Sequence, residues 1–299
     1  MKRSELMELA RERQVGEVSR RDFLKKPTAD IGSAAAASTL LAACTTLADS
    51  TPPPVVDATQ PPPEPGLSSS GELESGIVTY SGPEGAELMG YLAHVPGQEP
   101  RPAVIVIQEW WGLNEHIKDV TRRFAEEGYV ALAPDLYHGQ VTTEPDEARK
   151  LAMELGMGDA VAEIQAAIAY LRAQDDTTGQ VGIVGFCMGG GLVLQTAVAD
   201  NSIGAAVPFY GQPVSAGEAG QITTPVLSFL GSRDGISAAA YEAMHESLEA
   251  NSIPNHFQLY EGAQHAFFND TRASYAPEAA ADAWQRTMAW FEEYLNEAP

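Results

Sequence analysis

Between residues 71 and 299, short apolar runs alternate with longer amphipathic stretches. GIVTY at 76–80 and LMGYLAHV at 88–95 flank SGPEGAE, whose turn-forming residues predict a hairpin. AVIVIQ at 103–108 is apolar almost throughout, as a strand covered on both faces must be. NEHIKDVTRRFAEEG follows. Its Ile117, Val120 and Phe124 share one helical face, Asn114 is placed to cap it, and Gly128 to end it. YVALAPDL at 129–136 is the next strand. Helical patterns cover 145–155 and 158–173. Strands at 181–186, 204–211, 225–231 and 256–262 then alternate with helices near 188–199, 237–250 and 278–296. Such alternation predicts an α/β fold. The expected sheet has eight strands and is mostly parallel, with an antiparallel first pair and helices on both faces.

Residues 1–70 break this pattern. SRRDFLKK at 19–26 places Arg20-Arg21 before Phe23-Leu24, which resembles a twin-arginine export signal. The weakly apolar stretch Ile31 to Ala43 is too short for a bilayer span, which needs about 20 residues, but it suits a signal core. It ends in LAAC, 41–44, which resembles a bacterial lipobox with Cys44 as the lipidated residue. The competing reading is an ordinary amphipathic helix with chance arginines. Residues 45–70 are rich in Pro and Ser, poor in large apolar side chains, and read as a semi-extended spacer. The expected organisation is a signal region at 1–44, a linker at 45–70 and one folded domain at 71–299. The expected location is the periplasm or cell surface, with any membrane contact made through the N-terminal lipid.

Charge narrows the partners. The whole 299-residue chain has a formal charge of -23. Beyond residue 43 it carries ten basic and thirty-five acidic residues. Such a body repels nucleic acid and anionic membrane surfaces, so neither is an expected partner. Simple solubility accounts for this balance; adaptation to a salty medium is a second reading. Two cysteines, Cys44 and Cys187, exclude a disulfide framework. The sequence leaves the oligomeric state open.

Parallel sheets gather functional groups at the C-terminal ends of their strands. After strand 181–186 comes Cys187, within Gly185-Phe186-Cys187-Met188-Gly189. A sharp strand-to-helix turn needs small neighbours, because backbones approach closely and the central residue is strained. It also sets the sulfur at a helix N-terminus, which favours thiolate. This is the nucleophile-elbow pattern with Cys in place of Ser. The competing reading is a buried Cys in a tight turn. After strand 225–231 comes Asp234, and after strand 256–262 comes His265. Asp234 could merely cap a helix, and His265 could be a satisfied half-buried imidazole. Yet the order is nucleophile, acid, histidine, with gaps of 47 and 31 residues that each fit a strand–helix unit. In that reading His265 moves the proton, Asp234 orients the imidazole, and Cys187 attacks an acyl carbon. The backbone amides of Trp110 and Met188 would form the oxyanion hole. The remaining histidines show no metal-ligand spacing, and no metal is expected.

Taken together, VIVIQEWWGLN, PDLYHGQ, GFCMGGG, GSRDG and EGAQHAF resemble the dienelactone hydrolase (carboxymethylenebutenolidase) family, and the match runs along nearly all of 71–299. The resemblance implies an α/β-hydrolase fold, a cofactor-free Cys-His-Asp mechanism and a small ester or lactone as substrate. It implies that Glu109 is a rim carboxylate that helps generate the thiolate. It also exposes a departure. The family holds a substrate carboxylate with two arginines, and the matching positions here are Gly139 and Asn269. Neither can make a bidentate ion pair. Trp110, Trp111, Tyr137 and Phe268 suggest a more apolar pocket, or else are packing residues. Two rivals remain at this level: a broad carboxylesterase, and a surface-anchored binding protein that kept the fold without turnover.

Overall fold

The computed structural model describes residues 72–97 and 99–296. Residues 1–70, on which the expected signal region, linker and Cys44 fall, lie outside the described residues. Eight strands form one sheet: β1 (Glu74–Ser81), β2 (Glu87–His94), β3 (Arg101–Ile107), β4 (Val130–Pro134), β5 (Thr177–Phe186), β6 (Ala205–Phe209), β7 (Val226–Gly231) and β8 (Asn255–Tyr260). Their spatial order is β1-β2-β4-β3-β5-β6-β7-β8. β1 and β2 pair antiparallel, as do β2 and β4; every later pairing is parallel. The expected α/β architecture is therefore present.

The helices are α1 (Glu115–Glu126), α2 (Pro145–Glu154), α3 (Met157–Arg172), α4 (Met188–Ala199), α5 (Ala216–Ala219), α6 (Ala238–Ala250) and α7 (Pro277–Leu295). Asn114 caps α1 as expected, its side chain accepting from the Ile117 amide at 3.1 Å. Ile117, Val120 and Phe124 are fully buried. Each such side chain contributes about 2 kcal/mol of transfer free energy. α4 is apolar on nearly every side because it is enclosed, packing on β5 and β6 and beside α3.

The sheet's centre is dry. Ala103 to Ile107 of β3 and Val181, Ile183 and Val184 of β5 are fully buried, in parallel register with Ile105 opposite Ile183. This buried centre carries the two strand ends from which the elbow and its facing loop emerge. No helix among the described residues is long and apolar enough to cross a membrane.

Element boundaries differ from the pattern where side chains intervene. The strand expected over 129–136 stops at Pro134, because Asp135 turns inward and accepts from the amides of Tyr137 and Gly139 at 3.2 and 2.6 Å. The strand expected over 204–211 stops at Phe209, because Tyr210 takes a left-handed φ of 38°. α5 was not foreseen. Its Ser215–Glu218 capping box, in which each side chain accepts from the other residue's amide, was legible as S-x-x-E.

Candidate active site

β5 ends at Phe186 and α4 begins at Met188, leaving Cys187 alone at the turn. Its φ of 55° and ψ of −114° fall outside the regions an L-residue prefers. Such a conformation costs about 1–3 kcal/mol and persists only where its surroundings enforce it. Here the Cys187 amide donates to the Phe209 carbonyl at 3.1 Å, and the Cys187 carbonyl accepts from Gly191 at 3.3 Å. The glycines make the turn possible. A Cβ on Gly185 would strike the Gly189 carbonyl, and one on Gly189 would lie 2.5 Å from the Ile107 oxygen. A Cβ on Gly190 would lie 2.5 Å from the Phe209 oxygen, whereas Gly191 has only ordinary contacts. The first three glycines of the motif are thus backbone-to-backbone contacts. The sulfur sits at the N-terminus of α4, 8 % exposed.

Asp234 and His265 meet beside it. Oδ2 of Asp234 lies 2.8 Å from Nδ1 of His265, while Oδ1 accepts from the Ile236 amide at 3.0 Å. The aspartate therefore stabilises its own turn and orients the histidine; Ser237, not Asp234, caps α6. The partner oxygen requires the proton on Nδ1, so Nε2 is the nitrogen left for chemistry. Nε2 is buried and makes no hydrogen bond of ordinary geometry. Burial opposes a charge on His265. The neighbouring Cys187, the hydrogen bond to Asp234 and the Asp234 charge outweigh it, and hold the imidazole pKa well above its ordinary value.

The loop after β3 faces the elbow. Its Trp110 amide donates no hydrogen bond within the described residues, and neither does the Met188 amide at the start of α4. Both donors are unspent. The loop is pinned through the Trp111 carbonyl, which accepts from Thr142 at 3.1 Å, and by Arg272 stacked over the Trp111 ring at 4.1 Å.

Glu109 and Asn269 are each 1 % exposed. The Asn269 amide donates to Glu109 Oε2 at 2.7 Å, and its oxygen accepts from the Thr271 amide and hydroxyl at 3.0 and 2.6 Å. This network fixes which end of the amide faces the carboxylate. The hydrogen bond that Glu109 makes in this structure goes to Asn269, not to Cys187. Sequence reasoning saw Asn269 only as a missing arginine, because its partner is 160 residues away. Gly139 sits in an exposed left-handed turn, φ 91°, with open space around it.

The remaining pocket candidates divide. Trp111 is partly exposed at the rim. Tyr137 is buried and donates to the Met188 sulfur at 3.3 Å. Phe268 stacks on Phe186 at 5.1 Å and lies 5.0 Å from Phe209, which makes it a packing residue beneath the elbow. Tyr210, absent from the sequence reading, lies with its ring 5.1 Å from His265. A shallow depression lined by Val95, Glu99, Arg101 and Asp176 lies at the opposite, N-terminal ends of the strands, and its Asp176 is already paired with His94 at 2.7 Å.

A family model for the dienelactone hydrolase family matches residues 88–295, spanning the elbow, Asp234 and His265. The chain belongs to the dienelactone hydrolase family. A Synechocystis relative, provisionally named a carboxymethylenebutenolidase, is 35% identical over 245 residues, covering 75% of this chain and 99% of its own. Among solved structures, a Klebsiella pneumoniae protein provisionally named a dienelactone hydrolase superposes with TM-score 0.68 at 31% identity, covering 75% of this chain and 100% of its own. A dienelactone hydrolase-like promiscuous phosphotriesterase from metagenomic libraries superposes with TM-score 0.67 at 26% identity, covering 76% and 100%. The protein is thus a dienelactone hydrolase-like hydrolase.

Proposed function

We propose that the protein hydrolyses a carboxylic ester or lactone through a thioester on Cys187. The observation that carries this reading is the Asp234–His265 pair at 2.8 Å, beside a cysteine held at φ 55° on a helix N-terminus. The Cys187 thiolate attacks the acyl carbon, forming a C–S bond. The carbonyl oxygen takes the charge and points at the Trp110 and Met188 amides. As the intermediate collapses, the C–O bond breaks and the His265 imidazolium gives its proton to the leaving alkoxide. Water then attacks the thioester, losing a proton to His265, and the carboxylic acid and thiolate depart. Asp234 fixes the tautomer and favours the imidazolium throughout. The proton of the resting thiol passes to His265, making the imidazolium used above, and the buried Glu109 is the candidate for assisting that transfer once Asn269 yields it.

The substrate we infer is uncharged. Gly139 presents no side chain to the site, and Asn269 spends its one amide group on Glu109 and Thr271. A charged hydrogen bond is worth about 1.5–3 kcal/mol. Against a substrate carboxylate this chain lacks both of the family's guanidinium groups. Assayed as the full chain, it is expected to cleave an uncharged short-chain aryl ester at least about tenfold better, in kcat/KM, than dienelactone. A clear preference for dienelactone contradicts the assignment. We also propose export, from the Arg20-Arg21 signal, and anchoring through Cys44.

A further inference from the structure

Tyr210 follows directly on the residue whose carbonyl holds the nucleophile's amide. It is fully buried, at a φ of 38° that a tyrosine rarely adopts. The surroundings enforce that geometry. The Tyr210 amide donates to the Phe229 carbonyl at 2.7 Å, and the carbonyl of the next residue, Gly211, accepts from the Tyr241 hydroxyl at 2.7 Å. Gly211 itself packs on the backbone of Gly190 and Gly191 at the start of α4. Strain of this kind is retained where it aims a side chain. The ring comes to lie against His265, 5.1 Å between centroids at 60°, and edge-on to Phe267 at 5.3 Å.

The hydroxyl at the end of that ring has no hydrogen-bond partner, although it is buried. Buried hydroxyls almost always find one, so an orphan inside an active site calls for a partner that arrives later. Burial first, and then the negative charges of Glu109, Cys187 and Asp234, push its pKa well above the usual tyrosine range. The group therefore keeps its proton and acts as a donor.

We propose that the Tyr210 hydroxyl donates a hydrogen bond to the leaving oxygen of the bound substrate, the alkoxy oxygen of an ester or the ring oxygen of a lactone. This rests on the hydrolytic reading above. Two amides, of Trp110 and Met188, already serve the carbonyl oxygen. Tyr210 packs instead on His265, which delivers the proton to the leaving group. A donor there stabilises the departing alkoxide before the proton arrives, and Tyr210 keeps its own proton throughout. In the second half of the reaction the attacking water occupies the same position and receives the same hydrogen bond.

The test is Tyr210→Phe in the full chain, which keeps the ring and removes the hydroxyl. The burden on the donor scales with the basicity of the leaving group. Hydrolysis of an alkyl ester or an unactivated lactone is expected to fall about tenfold to a hundredfold in kcat/KM, but that of a nitrophenyl ester less than about threefold. Alkylation of Cys187 by iodoacetamide is expected at the parental rate. The melting temperature should not fall, since the hydroxyl bonds nothing in the resting protein. Equal losses on both esters, or no loss on either, overturn the proposal while leaving the hydrolytic reading intact. A lowered melting temperature with slowed alkylation also overturns it, in favour of a structural hydroxyl. If the parent protein cleaves neither ester, the hydrolytic reading fails and this proposal with it.

Discussion

Cys187→Ala is expected to lower ester hydrolysis by at least about 10⁴-fold, with the fold retained. Nothing else at the site can replace the sulfur. Asp234 is committed to His265 and Ile236, and Glu109 to Asn269. What survives is transition-state binding by two amides, which accounts for only a residual rate over water. The fold should survive because alanine has the same Cβ at φ 55° as cysteine, so the strain is unchanged, and the glycine contacts of the turn are untouched. A melting temperature within a few degrees of the parent, beside a rate at background, is the expected pair of readings. Retained hydrolysis would place the nucleophile elsewhere and remove the elbow from the account.

Asp234→Asn is expected to cost about 10³- to 10⁴-fold in kcat and to move the alkaline side of the pH profile. Asparagine preserves the shape and the turn, but its amide can present N–H groups to Nδ1 and so favour the wrong tautomer. The pH effect follows from what raises the imidazole. Its pKa lies well above the ordinary histidine value, despite burial, because of Cys187 and Asp234. The leaving alkoxide needs a proton from the imidazolium, so activity falls as pH rises through that pKa. Removing the Asp234 charge lowers the pKa, and the fall should therefore begin at lower pH. A profile of kcat/KM against pH for the parent and the variant reads this directly. An unmoved or upward-shifted alkaline limb would mean that His265 does not act as the proton donor.

Much of the fold was legible because burial writes itself into period. β3 and β5 are apolar runs because both faces are covered, and α1 shows one apolar face because only one is. Cys187, Asp234 and His265 were legible because each follows a strand, and their order matches one known geometry. What escaped depends on contacts across the chain. Tyr210 reads as one more aromatic at a strand end; only its left-handed backbone, set by Phe229 and Gly211, turns it towards His265. Asn269 reads as an absence until Glu109 is found opposite it. Phe268 could be assigned to the pocket or to packing on composition alone, and its stacking on Phe186 and tilted contact with Phe209 put it in the packing.

The most direct measurement is the mass of the protein shortly after mixing with a short-chain aryl ester, quenched in acid. The account predicts a transient gain of one acyl group, located on the peptide containing Cys187, labile to hydroxylamine as a thioester is, and absent from Cys187→Ala. Turnover with no such adduct at any quench time, in the presence of an accumulating adduct on another residue, would contradict it.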